Sequence, residues 1–315
     1  MSRLSVAVLF PGQGAQYVGM GKQLAKHYSV AREAFAAADE ALGFSISDLC
    51  FNGPEEELIR TENTQPAIVA ASLACFAVLK QEGICPSATA GLSLGEYAAL
   101  VVAQSLDFDV ALSLVHKRGR FMEEAVPTGE GTMAAILGLS REEVIAVCEE
   151  AQRRGGVVEP ANYNCPGQVV IAGQTNVVDE TSDMVVARGG KFRPLRVSGP
   201  FHSSLLAPAG ERLAKVLAKV DVRPPSIPVV ANVTGDYVTT GEEIKELLVR
   251  QVSSPVMWED SILKLIADGI DVFIEVGPGK ALNGFLKRID RQVRSFNVED
   301  VSSLEKTLAE LKGVS

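Results

Sequence analysis

Cysteine and histidine are scarce in this chain of 315 residues, with five of the first and three of the second. The cysteines (Cys50, Cys75, Cys85, Cys148 and Cys165) form no CxxC pair and are odd in number. That pattern argues against a disulfide framework or a thiolate zinc site and suits a reducing compartment. Three histidines are too few for a His-rich metal site. Positive charge is also in deficit. Thirty Lys and Arg face 39 Asp and Glu, a net charge of −9, whereas sequence-independent nucleic-acid binding needs a broad basic surface. No apolar run nears the ~18 residues of a membrane span. The N-terminus MSRLSVAVLFPGQG lacks the small-residue cleavage pattern of a signal peptide. We therefore expect a soluble cytoplasmic protein that meets neither nucleic acid nor membrane and carries no metal.

What is present suits a globular enzyme. Hydrophobic residues make up 47% and charged residues 22%, enough apolar material for a core. At ~100–200 residues per domain, the length fits about two domains or one large α/β domain with an insertion. Ser5–Phe10 reads as a buried first strand running into a glycine-rich turn. Helical periodicity follows over Val30–Leu42, Glu55–Arg60 and Ile68–Glu82. A short strand at Ser87–Ala90 precedes a helix over Leu94–Gln104, and Asp107 or Asp109 can cap the next, to Ala125. The texture then changes at Pro127–Gly131. Strands at 132–137, 157–160, 168–172 and 191–197 alternate with two helices in the order β-α-β-β-α-β of a ferredoxin-like unit. Ser140 and Glu143 form a capping box opening the first of these helices, and Thr175 can cap the second. Helix–strand alternation resumes after Ser198–Gly199–Pro200. The expected organisation is a discontinuous α/β domain, 1–126 and 199–315, with an inserted domain over 127–198.

The glycine-rich turn PGQGAQYVGMGK invites two nucleotide readings, and both fail. Tyr17 stands where the third glycine of GxGxxG belongs, and Met20 stands where a P-loop needs lysine. The turn can instead aim a backbone N–H at a reacting centre. Residues 91–95 read GLSLG, a GxSxG pattern between a short strand and a helix, where a nucleophile elbow belongs. Ser93 would then project its hydroxyl, with the Leu94 N–H beside it at the helix N-terminus. The plainer reading is a serine cap with glycine spacers. An activated serine needs a base. His27 reads as an exposed helix end and His116 as a mid-helix core or surface residue. His202, in GPFHSS after a Gly–Pro break, is the preferred candidate. No Asp or Glu stands out as a third member.

Several segments together resemble the malonyl-CoA:acyl-carrier-protein transacylases. They are FPGQGAQ (10–16), TQPA (64–67), GLSLGEYAAL (91–100), RG (118–119), FM (121–122), NYNCPGQVVIAG (162–173), FHS (201–203), LVRQVSSPVMW (248–258) and EVGPGK (275–280). The resemblance spans almost the whole chain. It implies a hydrolase-like parallel-sheet large domain carrying a ferredoxin-like small one. It also implies Ser93 as acylated nucleophile, His202 as base and Gln251 orienting His202 through its backbone carbonyl, so that a dyad replaces a triad. The Gln13 and Leu94 N–H groups would form the oxyanion hole, and Arg118 would hold the malonyl carboxylate. Read from the sequence alone, Arg118 is better explained by a helix-surface pair with Glu123 or Glu124. Leu92 departs from the histidine common before the nucleophile. Phe201 resembles malonyl-selective members.

The implied activity is ping-pong transfer of malonyl from CoA to the phosphopantetheine thiol of an acyl carrier protein, with no cofactor. The rival readings are a Ser–His esterase or thioesterase, a polyketide-pathway acyltransferase and a non-catalytic nucleotide-binding domain. An acidic carrier protein would need a local basic patch on this acidic chain. Two clusters qualify: Arg188, Lys191, Arg193 and Arg196, or Lys287, Arg288, Arg291 and Arg294.

Overall fold

A computed structural model describes residues 5–312, so the expected domain limits at 1 and 315 lie outside the described residues. Its strands are β1 (Val6–Phe10), β2 (Ala88–Gly91), β3 (Gly131–Leu137), β4 (Val158–Cys165), β5 (Gln168–Gln174), β6 (Lys191–Pro194), β7 (Val229–Val230), β8 (Val272–Val276) and β9 (Arg294–Val298). They form two sheets, ordered β7-β2-β1-β8-β9 and β4-β5-β3-β6. The first is parallel throughout. Its central strand is buried on both faces, and the alternation of side chains divides the core. Val6, Val8 and Phe10 face the helix Thr61–Gln81 and its neighbours, whereas Ala7 and Leu9 pack with Trp258, Ile262 and Phe273.

The second sheet is antiparallel. Numbered within its own segment, its strand order is 2-3-1-4, the ferredoxin-like arrangement expected from the β-α-β-β-α-β pattern. One face (Ala134, Ile136, Val169, Ile171) packs on the helices Arg141–Gln152 and Thr175–Ala187. The other face (Met133, Ala135, Val170, Ala172) joins the core of the large domain. The small domain is thus a roof whose helix-free side looks down on the parallel sheet. Backbone bonds stitch the roof on, with Tyr163 N–H donating to the Val256 carbonyl at 2.9 Å and Val256 N–H to that of Ala161 at 2.9 Å. Arg141 adds a two-pronged pair with Asp260, at 2.7 and 3.3 Å, and stacks on the Tyr163 ring.

Several elements differ from the sequence reading. The helix expected over Ile68–Glu82 begins at Thr61 and runs through Pro66. Proline lacks the N–H that would reach the Glu62 carbonyl, but the turn before it carries buried Thr64 and Gln65, so tertiary packing holds it helical. Asp107 does precede the helix Phe108–Ala125, yet its carboxylate pairs with Arg223 at 2.6 Å and caps nothing. Thr175 is the first residue of its helix, and its hydroxyl donates to the Gly129 carbonyl. The helix expected over Ser204–Val220 divides into a 3₁₀ turn, Ser204–Leu206, and the helix Ala207–Leu217. The Ser140–Glu143 capping box forms as read.

The turn from β2 into the helix Gly95–Val102 leaves no room for a side chain at either of its glycines. A Cβ on Gly91 would lie 2.0 Å from the Gly95 carbonyl carbon, and one on Gly95 would lie 2.4 Å from the Phe10 carbonyl oxygen. Both obstacles are backbone and cannot rotate away. Gly284, exposed in the helix Ala281–Ile289, has nothing within 4 Å of the same position. Urea denaturation should therefore separate two chemically identical changes. Gly91→Ala should destabilise by at least about 3 kcal/mol, and Gly284→Ala should stabilise by about 0.4–1 kcal/mol.

Candidate active site

Parallel strands in open α/β sheets present ligands at their carboxyl ends. Three of the turns that leave those ends converge here: residues 11–14 after β1, 92–94 after β2 and 231–232 after β7. The second holds Ser93 in a left-handed conformation, φ 54°, which costs a non-glycine residue about 1–3 kcal/mol. Neighbouring amides hold it there. Its N–H donates to Asn232 Oδ1 at 2.6 Å, and its carbonyl accepts from Gln251 Nε2 at 3.0 Å. Asn232 is fixed in turn by donating from Nδ2 to the Gly91 carbonyl at 2.7 Å.

Ser93 Oγ lies 2.8 Å from His202 Nε2. On the far side of the ring, His202 Nδ1 lies 2.8 Å from the backbone carbonyl of Gln251, the last residue of the helix Gly241–Gln251. A carbonyl can only accept, so Nδ1 carries the proton and Nε2 presents a lone pair to the serine. His202 also sits at positive φ, 63°, in the loop after β6. Burial, reinforced by the charge of Arg118, lowers its pKa to about 4, against the opposing pull of the carbonyls it bonds. The ring is neutral at pH 7.

Arg118 reverses its plainer reading as a surface residue. It projects inward from the helix Phe108–Ala125 and is 1% exposed. Nη1 donates to Gln65 Oε1 at 2.7 Å, while Nη2 donates to Gln251 Oε1 at 3.0 Å and to Ser93 Oγ at 3.1 Å. Its Nε has no partner, and the Tyr97 ring lies beneath it. All its polar partners are neutral oxygens. Burial draws its pKa below the ordinary value. An unanswered buried cation is costly, so the position suits an incoming anion. His116, by contrast, packs edge-on against Phe44.

The Gly-rich turn places Gln13 beside these groups, its side chain donating to Thr61 Oγ1 at 3.3 Å. Leu94 is the N-cap of the helix Gly95–Val102. Among the described residues, neither backbone N–H finds an acceptor in the protein. The sequence-derived set of Ser93, His202, Gln251, Gln13, Leu94 and Arg118 is thus brought to one place. Ser93, His202, Arg118 and Gln13 line a cavity of about 260 Å³, roofed by Met133, Ala135 and Val170 of the small sheet. That volume is near the lower end for small-molecule sites, about 300–1,000 Å³. Leu92 fills the space beside Gly12, where a Cβ would meet its Cδ2 at 2.6 Å. Among the described residues no three His, Cys, Asp or Glu converge to hold a metal.

Sequence reasoning passed over Gln65, Glu96 and Asn232. Gln65 lies within TQPA, and its signal is a polar side chain opening an otherwise apolar helical run. Asn232 is the polar residue that ends the run Val229–Ala231. Glu96 shows no signal of burial, since an acid in a first helical turn is ordinarily exposed.

Comparison with known proteins agrees with this geometry. Residues 8–307 match the acyl transferase domain model. The malonyl CoA-acyl carrier protein transacylase of Bacillus subtilis is 47% identical over 308 residues, covering 98% of this chain and 97% of that protein. Its Escherichia coli K12 counterpart is 45% identical over 304 residues, covering 96% and 98%. The crystal structure of the Clostridium perfringens malonyl CoA-acyl carrier protein transacylase superposes with a TM-score of 0.96 at 44% identity, covering 98% of each chain. A malonyl-transacylase solved in complex with its type II PKS acyl-carrier protein superposes with a TM-score of 0.94 at 42% identity, covering 97% of this chain and 99% of that one. With the elbow serine, its histidine and a match over nearly the full length, this chain belongs to the acyl transferase domain family.

Proposed function

We infer that this chain is a malonyl-CoA:acyl-carrier-protein transacylase working in the cytoplasm. In the first half-reaction His202 Nε2 takes the Ser93 proton as Oγ attacks the thioester carbonyl. The oxyanion accepts hydrogen bonds from the Gln13 and Leu94 N–H groups, and the second stands at a helix N-terminus that favours negative charge. The tetrahedral intermediate collapses, the C–S bond breaks and the imidazolium returns its proton to the CoA sulfur. Malonyl is left as an ester on Ser93. The phosphopantetheine thiol of the carrier protein then gives its proton to His202, attacks the ester carbonyl, and Ser93 leaves with that proton. Gln251 keeps the ring oriented through its carbonyl.

One observation carries the choice of acyl group. Arg118 is buried, lacks a carboxylate partner and donates to the nucleophile's own oxygen at 3.1 Å. A carboxylate on the acyl chain answers that charge, and a planar guanidinium can grip it with two parallel bonds. Acetyl has nothing to offer it. A single serine–histidine hydrolase has no need of such a residue, which favours transfer of a carboxyacyl group over plain ester hydrolysis.

The carrier protein needs basic side chains near the cavity mouth. Arg188 and Arg288 drop out of the two clusters, because Arg188 pairs with Glu150 at 2.8 Å and Arg288 donates to Gln168 and the Pro166 carbonyl at 2.8 Å. Lys191, Arg193 and Arg196 remain exposed along β6 and beyond, where Leu195 and Val197 pass into the cavity wall. Lys287, Arg291 and Arg294 lie at and beyond the far end of the helix whose first turns supply Leu282 and Phe285 to the same cavity. Both sets belong to segments that also line the cavity, and we assign them jointly to an acidic carrier.

Arg118→Ala should lower malonyl transfer by about ten- to a hundredfold while raising acetyl relative to malonyl transfer. Parallel assays with both CoA thioesters read this directly, and equal losses would remove the carboxylate role. The buried imidazole sets a second expectation. Because His202 is neutral until pH falls to about 4, kcat/KM for acylation should hold its plateau well below the ordinary imidazole value of about 6.5. A bound malonyl carboxylate offsets Arg118 and lets the His202 pKa rise. The acid limb of kcat should therefore lie at higher pH than that of kcat/KM. Coincident limbs near pH 6.5 in the pH–rate profiles would contradict this.

A further inference from the structure

Glu96 stands in the first turn of the helix Gly95–Val102, directly behind the nucleophile, and is 3% exposed. Its Oε2 accepts from Gln251 Nε2 at 2.7 Å and from the Asn232 N–H at 3.0 Å. Each of those residues holds one half of the site. Asn232 Oδ1 takes the Ser93 N–H. Gln251 takes His202 Nδ1 on its backbone carbonyl and Arg118 Nη2 on Oε1. An ionised carboxylate only accepts, so it dictates which way the Gln251 amide faces. The nitrogen turns to Glu96 and the oxygen to Arg118. Two donors on one oxygen and the nearby guanidinium favour the carboxylate against the cost of its burial, which raises its pKa to about 7.

Glu96 is also the carboxylate whose charge acts on Arg118. It does so at one remove, across the Gln251 side chain. A direct ion pair would occupy the guanidinium and close the site to an acyl carboxylate. A carboxylate behind a neutral amide steadies the cation and leaves its front free.

We propose that Glu96 is a positioning residue that aligns Gln251 and, from behind it, sets the positive charge Arg118 presents to the acyl group. This rests on the malonyl-transfer reading. In it, the substrate carboxylate approaches Arg118 against the repulsion of Glu96. Selectivity is therefore moderated, which keeps the malonyl group from binding too firmly to be passed on.

The test is acylation of Ser93 at pH 8, followed by rapid quench and intact mass, with malonyl-CoA and acetyl-CoA. Glu96→Gln keeps an acceptor oxygen for both donors and removes the charge. The malonyl-to-acetyl ratio of kcat/KM should rise by about three- to tenfold, carried by a lower half-saturating malonyl-CoA concentration. Glu96→Asp keeps the charge but falls short of Gln251, so acylation by both thioesters should slow with the ratio within about twofold of wild type. The proposal is overturned if Glu96→Gln leaves the ratio unchanged or lowers it, or if Glu96→Asp shifts it. A loss common to both substrates in Glu96→Gln, without the KM change, would reduce Glu96 to a structural part. Wild-type protein that takes no malonyl at all would instead defeat the malonyl-transfer reading itself.

Discussion

A guanidinium buried 3.1 Å from a serine hydroxyl and donating only to neutral oxygens is the constraint on which this site depends. Such a cation is tolerated when every nearby dipole is turned toward it. Gln65 and Gln251 turn their amide oxygens inward, and Glu96 lends its charge from behind. Burial, reinforced by the same cation, keeps the adjacent imidazole unprotonated, so the base is ready in the free enzyme. On the malonyl-transfer reading, a substrate carboxylate would relieve both tensions together. That reading couples recognition of the acyl group to the strength of the base through one side chain.

The parallel sheet supplies the rigidity this arrangement requires. Its strand ends deliver Gln13, Ser93 and Asn232 from separate turns, and the two elbow glycines let backbone approach backbone where a methyl group has no room. The positive φ of Ser93 and of His202 is a local cost. It is offset by hydrogen bonds to buried amides that cannot shift without losing partners of their own. The ferredoxin-like domain contributes no group to the nucleophile–base pair. It encloses the cavity with Met133, Ala135 and Val170, beside Asn162, Asn164 and Gln168, and excluding water there strengthens the electrostatic interactions beneath.

Much of this was legible in the residue order. Ser93 between a strand and a helix, and His202 after a Gly–Pro break, carry local signals because an elbow and a loop-held base impose local backbone demands. The small domain was legible for the same reason, through strand alternation and the Ser140–Glu143 capping box. Arg118 was not, taken alone. Its helix face shows the spacing of a surface ion pair, and only the packing of the helices Thr61–Gln81 and Phe108–Ala125 turns it inward. Glu96, Asn232 and Gln65 stayed silent because a buried polar network is defined by partners more than fifty residues apart in most of its bonds. The helix start at Thr61 is not legible either, since the local preference of Pro66 to interrupt a helix is overridden by burial.

The measurement that bears most directly on the account is intact-mass spectrometry after brief mixing with malonyl-CoA, comparing wild type with Ser93→Ala. A malonyl adduct is expected on the wild type alone, stable to water and discharged on addition of holo acyl carrier protein. Rapid CoA release with free malonate and no adduct, or an adduct that persists in Ser93→Ala, would contradict it.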